Sequence, residues 1–95
     1  MEHIAHIMEY YKEALDELMG AQEYVRRWRA ENDGETKAMY KEMARQELMH
    51  EQLLEKAAEH LASQDREGYL REIWKHLKVH LHRWYTDLTQ ETAET

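Results

Sequence analysis

Two helical stripes of this 95-residue chain carry carboxylates where apolar side chains belong, and the chemistry they suggest is metal binding. In alternating steps of three and four residues, the spacing that aligns one helix face, one stripe runs Tyr10, Ala14, Glu17, Ala21, Tyr24, Trp28. A second runs Tyr40, Met43, Glu47, His50, Leu54, Ala57, Leu61. A carboxylate buried alone costs several kcal/mol, and neither stripe holds a Lys or Arg to neutralise one. A cation shared by several carboxylates would do so. Glu47-Leu48-Met49-His50 places a carboxylate and an imidazole at i and i+3, on one face and within reach of one ion. Carboxylate plus imidazole is a hard-to-borderline donor set, suited to iron or manganese more than to zinc or copper. Ala14 and Ala21 leave Glu17 room to reach a facing helix. The competing reading puts both Glu at a stripe edge and makes His50 a hydrogen-bonded core histidine.

The elements that must hold these residues follow from composition. There is no Pro, Phe or Cys, only 3 Gly, and a predominance of strong helix formers, so the fold class is all-α. Two stretches break the pattern: Ala30-Glu31-Asn32-Asp33-Gly34, and Ala62-Ser63-Gln64-Asp65, where Ser63 or Asp65 can cap a following helix. The spacing predicts one domain over 1–95, with helices near residues 3–30, 35–62 and 65–89 and a frayed tail over 90–95. Short connections make sequential helices antiparallel, so the first two form a hairpin. The absence of Cys excludes thiolate metal sites and disulfides, and a formal charge of −7 argues against nucleic acid as partner and for cations. With no membrane-length apolar run and no basic leader, the expectation is a cytoplasmic protein.

Glu17, Tyr24 seven residues later on the same face, and Glu47-x-x-His50 together resemble the first half of the metal site of ferritin-like di-iron carboxylate proteins. The run Met43-Ala44-Arg45-Gln46-Glu47-Leu48-Met49-His50-Glu51-Gln52-Leu53-Leu54 resembles the metal-binding helix of rubrerythrins and ferritins. The short chain and the thirty-residue separation of Glu17 from Glu47 are most similar to encapsulated ferritins, the half-size members carried inside encapsulin shells. The resemblance implies a ferroxidase that oxidises Fe²⁺ with O₂ or peroxide for iron storage or detoxification, at a di-iron site in which Mn or Zn can substitute. It implies Glu17, Glu47 and His50 as ligands and Tyr24 as a residue bonding a ligand or guarding against radicals. It further implies an approach to the metal beside Glu13 and Asp16, an encapsulin shell as partner and a place inside that nanocompartment.

A full site of this kind needs a second Glu and a second Glu-x-x-His, and the third helix offers only Glu67-x-x-Leu70 and Glu72-x-x-Lys75. The expectation is a homodimer, or a higher multiple of dimers, whose paired hairpins make a four-helix bundle. The third helix shows an apolar face of Leu70, Ile73, Leu77, Leu81, Trp84 and Leu88. It also places His76 and His80 at i and i+4 after Glu72, a spacing able to bind metal but more often solvated. Two other functions fit the same residues: a rubrerythrin-like peroxide reductase, and a metal-free helical interaction module.

Overall fold

The computed structural model describes residues 2–93. They form three helices, α1 (Glu2–Ala30), α2 (Gly34–Ser63) and α3 (Tyr69–Ala93), with no strand among the described residues. No helix among them is long and apolar enough to cross a membrane.

The hairpin turn is built by side chains that occupy orphan backbone donors. Glu31 Oε1 accepts from the backbone N–H of both Asn32 and Asp33, each at 3.0 Å, and so ends α1. Asp33 caps α2 by accepting from Thr36 N at 2.9 Å and Thr36 Oγ1 at 2.8 Å, and these bonds hold its carboxyl below the usual range.

The second connection is longer than the sequence indicates. α3 begins at Tyr69 rather than at 65, because Gly68 adopts φ +83°, a left-handed conformation that interrupts the helix. Asp65 still caps α3, from outside it, accepting from Glu67 N at 3.2 Å and Leu70 N at 2.9 Å. At the other end the tail is helical through Ala93 instead of frayed from residue 90. Thr92 is buried at 3% exposure, its carbonyl accepts from Arg45 Nη2 at 3.1 Å, and Glu91 lies 3.6 Å from Arg29. Glu94 and Thr95 lie outside the described residues.

The core joins Ile7, Ala14, Leu18, Ala21 and Val25 of α1 to Ala44, Leu48, Ala58 and Ala62 of α2 and Leu70, Trp74, Leu81 and Leu88 of α3. The buried stripes are therefore rotated by about one residue from those that the sequence suggests. Tyr10, Glu17, Tyr24 and Trp28 of α1, and Tyr40, Glu47, Leu54 and Leu61 of α2, are half-buried and flank the seam between these two helices. The fully packed stripe of α2 is Ala44, Leu48, Glu51, Glu55, Ala58 and Ala62, with two carboxylates in its middle.

α3 closes the other side of the hairpin. Trp84 Nε1 donates to Gln22 Oε1 at 2.8 Å, and Lys78 Nζ pairs with Glu59. Trp74, which the sequence leaves off the apolar face, is buried at 4% exposure, while Ile73, Leu77 and Trp84 are half-buried around it.

Candidate metal centre

On the open side of the α1–α2 seam, Glu17, Glu47 and His50 each direct one donor atom into a group whose members all lie within 4.8 Å of one another. Glu17 stands midway along α1, Glu47 and His50 one turn apart on α2. The antiparallel hairpin sets them opposite each other. Glu17 Oε2 is 3.6 Å from His50 Nδ1, too long for a hydrogen bond, and that oxygen is buried with no hydrogen-bond partner. The His50 side chain is 56% exposed and that of Glu17 27%, so the cluster is reachable from solvent.

Electrostatics mark the same place. A hydrogen bond shared with Glu17, burial and repulsion by the Glu17 charge push the Glu47 carboxyl up to about 7, against a smaller opposing pull from His50. Two carboxyls that can touch only by sharing a proton form a group that a cation would relieve, since it repels neither.

Gly20 explains how Glu47 fits. A Cβ at position 20 would lie 2.8 Å from Glu47 Oε2, so only glycine leaves this carboxylate its present place. The sequence carries a signal of it: a glycine inside a helix costs roughly 1 kcal/mol relative to alanine, and this one sits three residues after a candidate ligand.

Around the cluster, Glu13, Asp16, Glu17, His50, Leu53 and Leu54 line a shallow cleft of about 370 Å³ that no α3 residue borders. Tyr24 is not a member of the cluster. It stacks on Tyr40 across the seam, with centroids 6.4 Å apart and planes at 25°, and the Arg27 guanidinium lies 5.8 and 6.0 Å from the two ring centroids. Glu72, His76 and His80 are exposed and do not converge: among the described residues, the Glu17–Glu47–His50 group alone brings three such donors together.

The sequence reasoning missed the Glu51 and Glu55 pair. Glu51 is 0% exposed and Glu55 5%, and Gln52 Nε2 donates to Glu51 Oε1 at 3.0 Å and to Glu55 Oε2 at 2.8 Å. Burial first, and then the Glu55 carboxyl beside it, push Glu51 up to about 9, so the proton stays on at neutral pH. Compared with known proteins, the chain matches no protein-family model, no curated protein and no solved structure.

Proposed function

We propose that the chain binds Fe²⁺ at Glu17, Glu47 and His50 and, joined to a second copy, works as a ferroxidase of the ferritin-like kind. The observation that carries this reading is the convergence of three metal-donor atoms within 4.8 Å around a buried, unpartnered carboxylate oxygen. Two carboxylates and an imidazole fit iron by charge and hardness. Bound Fe²⁺ ions, paired, would supply the electrons that reduce O₂ or peroxide, and would leave as Fe³⁺.

The chain's own residues have separate tasks. Glu17 and Glu47 supply negative charge, and the proton that Glu47 holds in part at neutral pH departs as the cation arrives. His50 offers a ring nitrogen from the solvent side. Glu13 and Asp16 place further negative charge at the mouth of the cleft, favouring the approach of a cation.

One chain holds half of the donors that two ions of this class require. A second copy is supported by a further stripe on α2: Met39, Met43, Gln46, His50, Leu53 and Ala57 recur in alternating steps of four and three. Met39 is 51% and Leu53 58% exposed on it. Such a spacing suits a two-helix seam, and a twofold axis through it would bring the second Glu17, Glu47 and His50 to the first. An encapsulin shell and a cytoplasmic setting complete the reading by resemblance.

Aerobic addition of Fe²⁺ tests it through the near-ultraviolet absorbance of the ferric product. Glu47→Ala and His50→Ala are expected to slow that growth by about tenfold or more, and Fe²⁺ added without oxygen to shift the wild-type chain toward a dimer in sedimentation. Full rate in either variant removes this cluster from the reaction. A chain that binds no iron is the metal-free helical module instead.

A further inference from the structure

The Glu51 and Glu55 pair begins one turn beyond Glu47, turned toward the interior, in the stripe of α2 packed into the three-helix core. Its burial demands an explanation, because polar groups inside a protein are hydrogen-bonded or coordinate metals. Lys78 is the cation that approaches from α3, but its hydrogen bond goes to Glu59, and it acts on Glu55 only as a more distant charge. Gln52 holds one oxygen of each carboxylate, the arrangement by which outer hydrogen bonds orient metal ligands. The other oxygen of Glu51, Oε2, is buried with no hydrogen-bond partner.

We propose that Glu51 and Glu55 form a second divalent-cation site, inside the bundle and separate from the seam cluster. Two carboxylates neutralise one divalent ion, so the filled pair carries no net charge into the core. Oxygen-only donors select a hard cation of the Mn²⁺ or Mg²⁺ type, while the seam cluster adds an imidazole and favours a borderline ion. The two sites then have different access, one open to solvent through the cleft and one reached when α3 loosens from α2. This proposal does not depend on the ferroxidase reading.

Mn²⁺ titration of the full chain, with free Mn²⁺ counted by its paramagnetic resonance signal, separates the two sites. The Glu47→Ala/His50→Ala double variant is expected to keep about one tightly held Mn²⁺ per chain. Glu51→Gln/Glu55→Gln is expected to lose that ion and keep the one at the seam. Thermal melts followed by circular dichroism establish that both variants fold. The proposal fails if the Glu47→Ala/His50→Ala chain melts cooperatively yet binds no Mn²⁺, or if Glu51→Gln/Glu55→Gln retains the wild-type count. Loss of Mn²⁺ from Glu51→Gln/Glu55→Gln alone, with none left at the seam, would sink the ferroxidase site and leave the inner one standing.

Discussion

Glu47 and Glu51 stand one turn apart on the same helix, each beside a second carboxylate, and their surroundings give them opposite characters. Glu47 faces the open seam, and its carboxyl is raised to about 7, chiefly by the neighbouring Glu17. Glu51 faces the core, and its carboxyl is raised to about 9, chiefly by burial. A turn of α2 therefore separates a carboxyl that a modest change in pH or a passing cation can ionise from one that stays protonated. Residue type alone does not make a metal ligand here. Access decides, and access is set by which side of the hairpin α3 covers.

The largest expected effect concerns the inner pair. The Glu51 carboxyl is raised above its ordinary value, so the folded chain keeps a proton that the unfolded chain would release. Metal-free stability should then be greatest near about pH 5 and fall as pH rises toward 9. Glu23, Asp33 and Asp65 are shifted the other way, and their contribution is lost only in more acid solution. Glu51→Gln should flatten this fall, stabilising the metal-free chain on the order of several kcal/mol at pH 8 and far less at pH 5. Chemical denaturation at the two pH values measures it. A destabilised Glu51→Gln at pH 8 would mean that Glu51 is ionised and held by a partner charge in the fold, and the contrast with Glu47 would collapse.

A smaller effect probes the seam. Gly20→Ala gains about 1 kcal/mol of helix propensity but puts a methyl group 2.8 Å from Glu47 Oε2. The variant should melt no lower than wild type while its seam affinity for Mn²⁺ drops by about tenfold, a separation of stability from binding that calorimetry reads directly. Unchanged affinity would show that Glu47 reaches the metal from another position.

The smallest expected effect is a control. Glu23 is held well down, to about 2, by its bonds to Arg26 and Arg27, yet all three are exposed to water. Glu23→Gln should leave the melting temperature unchanged at physiological salt, because exposed pairs are screened. A clear drop would mean that surface charge pairs weigh as much in this bundle as the interior ones.

The three helices, the tight hairpin turn and the convergence of Glu17, Glu47 and His50 were legible in the sequence because each has a local cause. Asp33 is a capping residue before a helix start, and the two stripes keep their spacing for many turns. The inner pair was hidden for a physical reason. The stripe that packs reads Ala44, Leu48, Glu51, Glu55, Ala58, Ala62, while its neighbour reads Tyr40, Met43, Glu47, His50, Leu54, Ala57, Leu61 and looks the more apolar. Periodicity ranks faces by their apolar content, and buried carboxylates invert the ranking. The start of α3 was hidden too, because one glycine in the left-handed region leaves no trace in the pattern beyond its own letter.

The connection between α1 and α2 spans only residues 31–33, and the backbone N–H groups of Asn32 and Asp33 are satisfied by the Glu31 side chain. Closing so short a loop costs little chain entropy, and contacts between near neighbours in sequence form early. The seam cluster belongs wholly to that hairpin, so its donors can meet as the first two helices zip together. Docking of α3 carries a further cost, the removal of Glu51 and Glu55 from water. The outer donors thus need only the hairpin, while the inner pair needs the interior sealed.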